Sequence, residues 1–118
     1  MEIHTTKYGN FHLIRIIDDI AVTSDIAELR DCVEELLEDG ARNIAIGFTK
    51  ESYLSSRSAS ILIACFEMIK EKGGELAIIR PNPTILHLLT IIDLEGVIRI
   101  VNSDEALLDI PNLSSAQS

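Results

Sequence analysis

Two short apolar runs, Asn43-Ile44-Ala45-Ile46-Gly47-Phe48 and Leu76-Ala77-Ile78-Ile79, constrain the fold more than anything else in the chain. Neither alternates polar with apolar residues, so a strand built from either has no face to give to water. Both read as central strands buried on both sides. Between them lies a helix-length segment from about Arg57 to Lys72, which contains Ile61-Leu62-Ile63-Ala64-Cys65-Phe66 and is stopped by Gly73-Gly74. Strand, helix, strand in that order implies a right-handed crossover and parallel pairing.

The flanking sequence continues the alternation. Phe11 to Ile17 reads as a strand, paired antiparallel with Ile3 to Tyr8 across a turn at Gly9-Asn10. Asp18-Asp19 ends it. Ser24 or Asp25 caps a helix to about Asp39, whose apolar positions Ile26, Leu29, Cys32, Val33, Leu36 and Leu37 form one buried stripe before Gly40. Pro81-Asn82-Pro83 starts the next helix, Thr84 to about Ile92, with Asn82 as its cap. Val97 to Val101 reads as a last strand. Ser103-Asp104-Glu105 then opens a short helix ending near Pro111. The order predicts an α/β domain over residues 1–112, with a mixed, mostly parallel sheet of four to five strands and about four helices. Residues 113–118 read as a polar, flexible tail.

With 118 residues the chain can bury one core. Its formal net charge of −9 argues against nucleic acid or an anionic membrane as partner, because both need basic patches. No apolar run approaches the roughly 20 residues of a membrane-spanning helix. Met1 to Thr6 lacks the apolar stretch of a signal peptide. A cytoplasmic protein, monomeric or weakly dimeric, is expected. Cys32 and Cys65 fall at apolar helical positions and read as small buried hydrophobes. No metal-ligand spacing and no cofactor motif appears.

The residues with chemical potential concentrate in Tyr53-Leu54-Ser55-Ser56-Arg57-Ser58-Ala59-Ser60, which holds four serines and opens the second helix. Helix N-termini leave backbone N–H groups without internal partners and favour negative charge. A serine there can serve as an N-cap, and a phosphate added there meets free donors. A nucleophilic serine would need a base against its hydroxyl. His4, His12 and His87 lie in other elements and no G-x-S-x-G elbow exists, so catalysis is not expected.

The ordered set of motifs resembles the STAS domains, and within them the bacterial anti-sigma factor antagonists. The resemblance runs from about residue 8 to residue 109. It rests on Ile44–Phe48, Ser55-Ser56-Arg57-Ser58, Ile61–Met68, Gly73-Gly74, Leu76–Ile79, the segment Pro83 to Leu89, Val97–Val101 and Ser103-Asp104-Glu105-Ala106-Leu107. In that family the first serine of an aspartate-serine-serine-glycine turn is phosphorylated by a partner kinase, usually an anti-sigma factor of the histidine-kinase-like ATPase class. A serine phosphatase reverses it. The family's aspartate falls on Ser55, the phosphorylated serine on Ser56, the next serine or threonine on Arg57 and the glycine on Ser58. A second family aspartate falls on Ala21.

The resemblance thus implies phosphorylation of Ser56, with Ser55 and Ser58 as fallback acceptors. It implies a partner-binding surface that includes Asp18, Asp19, Tyr53, Leu54, Ser55, Arg57 and Ser58. The departures at Ser55, Arg57, Ser58 and Ala21 leave two alternatives open. One is a divergent STAS regulator of a non-sigma pathway, such as biofilm, polysaccharide or motility control. The other is a STAS domain that binds a small molecule or nucleotide near Asp18-Asp19.

Overall fold

In the computed structural model, which describes residues 1–110, Ile3–Tyr8 (β1) and Phe11–Ile16 (β2) form an antiparallel hairpin. The chain then runs through Ala27–Glu38 (α1), Asn43–Gly47 (β3), Ser56–Glu71 (α2), Leu76–Ile79 (β4), Pro83–Ile91 (α3), Arg99–Val101 (β5) and a 3₁₀ turn, Glu105–Asp109. The five strands lie in the order β1-β2-β3-β4-β5, and every pair after the hairpin is parallel. The expected tail over residues 113–118, and the end of the last helix near Pro111, lie outside the described residues.

Stepwise right-handed crossovers that always advance in one direction put every helix on the same face of a sheet. That is the observed arrangement. Leu29, Val33 and Leu37 of α1, Leu62, Cys65 and Ile69 of α2, and Ile85 and Leu89 of α3 pack with Ile14, Ile16, Ile44, Ile46, Leu76 and Ile78. The opposite face carries a smaller core: Phe11, Leu13, Ala45, Ala77, Ile79 and Val101, closed by Leu107 and Ile110. Alternate residues of β3 and β4 serve the two cores, which is why neither strand shows a polar period. Among the described residues a short segment covers the second face, and the central positions of that face are alanines, so Leu107 and Ile110 can approach the sheet closely. Arg15 pairs with Asp104 on this side, and its guanidinium lies over Gly47.

The two glycines after α2 act for different reasons. Gly73 has φ +82° and continues the chain in the left-handed turn that ends the helix, with the Gly74 N–H returning to the Ile69 carbonyl at 2.9 Å. A Cβ on Gly74 would stand 1.6 Å from the Arg42 carbonyl oxygen, so only glycine fits there.

Four element boundaries differ from the sequence expectation, each for a local reason. The first helix begins at Ala27, after Ser24 and Asp25. The Ser24 hydroxyl accepts the Ala21 N–H and the Asp25 carboxylate accepts the Ala27 N–H, both at 2.9 Å, so these side chains shape the turn before the helix. The second helix begins one residue early, at Ser56. The last strand is only Arg99–Val101, because the Val97 and Ile98 N–H groups turn back to the Leu94 carbonyl. The expected fourth helix is a 3₁₀ turn. Leu107 and Ile110 are three residues apart and both must face the sheet, and the three-residue period of a 3₁₀ turn puts them on one side.

The third helix keeps its expected asparagine cap and its proline in the first turn. It buries Ile85 and Leu89 but leaves Ile91 63 % exposed, so one side of this apolar helix faces solvent. Cys65 is buried and Cys32 is half-buried, both as free thiols. Among the described residues, no helix is long and apolar enough to cross a membrane.

Candidate functional site

The serine run sits where β3 hands the chain to α2. Ser55 is the N-cap: its backbone is extended, its hydroxyl oxygen accepts the Ser58 N–H at 3.2 Å, and its carbonyl accepts the Ala59 N–H at 2.8 Å. The Ser55 hydroxyl in turn donates to the Ser58 hydroxyl at 3.3 Å. Capping therefore falls to Ser55 among the serines of the run. Ser56 is the first helical residue, exposed, and its hydroxyl makes no hydrogen bond among the described residues. The N–H groups of Ser56 and Arg57 have no partner within the helix, and the first turn holds no acidic side chain to offset the positive end of the dipole.

The remaining expected residues divide into three groups. Tyr53, Ser55, Ser56 and Arg57 come together with Val22, Thr23, Ser24 and Asp25 around an open recess of about 570 Å³. Val22 and Tyr53 expose 57 % and 47 % of their surfaces there, an apolar pair in a polar rim. Leu54 and Ser58 are buried, at 4 % and 0 % exposure. Leu54 packs into the helix-side core and supports the loop from below, and Ser58 can present its hydroxyl to another protein only if the first turn of α2 opens. Asp18 and Asp19 are exposed but line neither this recess nor the larger one beyond the Thr49–Ser52 loop. The Asp18 carboxylate accepts the Glu2 N–H at 2.7 Å and fastens the start of β1.

Ser24 and Asp25, either of which the sequence offers as a helix cap, both line the recess with the serine run, and no local pattern in the chain shows that placement. The signal that could have found them is topological. In a parallel sheet the loops after β2 and β3 must emerge at the same edge.

Three loops meet at that edge and are stitched by specific bonds. The buried Ser52 hydroxyl accepts the Ile20 N–H at 3.0 Å and shares a hydrogen bond with the Thr49 hydroxyl at 2.7 Å. The Tyr53 N–H donates to the Ile20 carbonyl at 2.7 Å. The Asn82 side-chain amide donates to the carbonyls of Lys50 and Ser52 at 2.9 and 2.8 Å. A larger open recess of about 1020 Å³ lies on the far side of the Thr49–Ser52 loop, lined among others by Arg15, Lys50, Arg80, Asn82 and Asp104.

Neither recess contains a histidine or a cysteine. Burial pushes the Cys65 thiol up to about 12, and it raises Cys32 as well, helped by the nearby Glu35 carboxylate. His12, on β2, is held below the usual imidazole value by burial and then by Lys7. Its buried Nδ1 has no hydrogen-bond partner among the described residues. Among the described residues no group of histidine, cysteine and carboxylate side chains is arranged to hold a metal ion.

The sequence model of the STAS domain matches residues 2–106. Among solved structures, a candidate anti-sigma factor antagonist from Thermotoga maritima superposes with a TM-score of 0.77 at 16 % identity, over 92 % of this chain and 93 % of that one. The Bacillus anti-sigma factor antagonist SpoIIAA in its unphosphorylated form gives 0.73 at 16 % identity, over 94 % of this chain and all of that one. The phosphorylated form of the Bacillus cell fate determinant SpoIIAA gives 0.72 at 14 % identity, over 93 % and 100 %. At these identities the likeness establishes the fold.

Proposed function

The chain belongs to the STAS domain family, and from that premise we propose that it is a non-catalytic regulatory module of the anti-sigma factor antagonist kind, switched by reversible phosphorylation of Ser56. The observation that carries this reading is the division of labour between two neighbouring serines. Ser55 holds the helix start, and Ser56 stands in solvent with an unengaged hydroxyl beside Arg57 and the exposed Tyr53 and Val22.

The unmodified protein binds its partner through this recess and the adjoining side of α2. The partner is a kinase and anti-sigma factor of the histidine-kinase-like ATPase class, and a serine phosphatase resets the switch. Phosphate on Ser56 adds roughly −1.5 to −2 charge to a partly apolar contact. Arg57 can pair with it, and Asp25 across the recess repels it, so the Val22–Asp25 loop is pushed away from α2. A micromolar interface is worth about 8 kcal/mol, so losing a few of these opens it.

The alternative of a non-sigma pathway rests on Ser55. An aspartate would cap the helix equally well and add a charge, so serine keeps the fold of the turn while altering what a kinase meets.

Intact mass and peptide mapping of the protein from its native host, with phosphatases inhibited, test the reading. Phosphate on Ser56 is the expected result. An unmodified chain across growth conditions, or equal partner affinity for Ser56→Ala and Ser56→Asp, would sink it.

A further inference from the structure

We infer that Asn82 is a positioning residue for the Tyr53–Ser56 surface, holding it from the opposite side of the sheet edge. The inference rests on the proposed interaction surface for its functional consequence; the clamp itself rests on geometry alone.

Asn82 uses its side chain in three directions at once. Its carbonyl oxygen accepts the Ile85 N–H at 2.8 Å and caps α3. Its two amide hydrogens go to the Lys50 and Ser52 carbonyls, 32 and 30 residues away in sequence. Only one orientation of the amide satisfies all three groups, because the NH₂ must face both carbonyls and the oxygen must face the N–H. The bond to Ser52 lands on a residue that is 2 % exposed and whose own hydroxyl holds the Ile20 N–H. The next residue, Tyr53, holds the Ile20 carbonyl. A continuous set of bonds thus runs from the start of α3 through Asn82, Ser52 and Tyr53 to Ile20, two residues before Val22. Both apolar members of the recess, Val22 and Tyr53, are anchored at the end of that set.

A cap needs only the acceptor. Serine and aspartate cap helices as well as asparagine does, but neither can donate to two carbonyls. Asn82→Ser and Asn82→Asp therefore separate the two roles. If Asn82 positions the loop, both variants keep the exchange rates of the α3 amides and of the Ile44 and Ile78 amides. The Ile20 and Tyr53 amides then exchange about tenfold faster or more, as loss of one or two hydrogen bonds implies. Aspartate, which turns a negative oxygen toward the carbonyls, has the larger effect. Affinity for the anti-sigma partner falls in the same order, with Ser56 still unmodified.

Native exchange at Ile20 and Tyr53 in both variants would overturn the clamp and leave the Ser56 switch untouched. Faster exchange with unchanged partner affinity would overturn the link between clamp and surface. If no partner of the proposed class binds the native protein, the reading of function fails, and the exchange rates still decide the clamp.

Discussion

The Ser55 hydroxyl oxygen accepts the Ser58 N–H at 3.2 Å, and this bond sets Ser55 apart from Ser56, its exposed neighbour in the first turn of α2. Ser58 is sealed beneath the cap, Ser55 is occupied by it, and Ser56 is left free. Removing the Ser55 hydroxyl should therefore cost stability where removing its neighbour does not. Ser55→Ala is expected to destabilise by about 1 kcal/mol, and Ser56→Ala to stay within about 0.5 kcal/mol of the native protein. Urea unfolding of the two variants side by side checks this, and a reversed order would place the cap on Ser56.

The paired glycines after α2 give a second ordered prediction. A methyl group on Gly74 meets the Arg42 backbone carbonyl, which cannot move without displacing the entry to β3. Gly73 has open space around it and resists substitution only through its left-handed backbone. Gly74→Ala should cost about 2–4 kcal/mol and Gly73→Ala about 1–2 kcal/mol, read as shifts in urea midpoint. Equal losses would mean that the chain after α2 is able to relax away from Arg42.

His12 makes stability depend on pH in a definite direction. Its imidazole is held below the usual value in the folded state, by burial first and by Lys7 second. As pH falls through the ordinary imidazole range, the unfolded chain takes up the proton first, so folding stability is lost on acidification. The carboxylates titrate in the same experiments, so the useful quantity is a difference. The stability of the native protein minus that of His12→Gln should decline between pH 7.5 and 5. A flat difference would show that the folded and unfolded imidazoles bind protons alike.

The thiols should differ in reactivity although both are free. Burial holds the Cys65 thiol near 12, which leaves almost no thiolate at pH 8, and Cys32 on α1 is only half-buried. Alkylation with iodoacetamide at pH 8, followed by mass spectrometry, should label Cys32 first and Cys65 only after unfolding. Labelling of both at one rate would mean that α2 opens locally under native conditions.

Much of the architecture was written in periodicities. The unbroken apolar runs Ile44–Ile46 and Leu76–Ile79 announced buried parallel strands, and the spacing of Leu29, Val33 and Leu37 announced the buried stripe of α1. Asn82 ahead of Pro83 announced the start of α3. The candidate site was only partly legible. Ser56 and Arg57 could be placed at a helix start, but no local pattern could show that Ser58 and Leu54 point inward or that Asp18 is tied to Glu2. The change from helix to 3₁₀ turn at Glu105–Asp109 was equally hidden, since it answers to the sheet beneath Leu107 and Ile110.

By itself the sequence determined where strands and helices alternate and where they stop, because those choices depend on hydrophobic period, caps and glycines within a few residues of each other. Only the tertiary structure decided that all three helices share one face, that Ser24 and Asp25 look across at Ser56, and that Asn82 holds the loop carrying Tyr53. Those relations join residues some 30 positions apart through the order of strands in the sheet. Crossover handedness and loop-to-loop hydrogen bonds, rather than any local signal, bring them together.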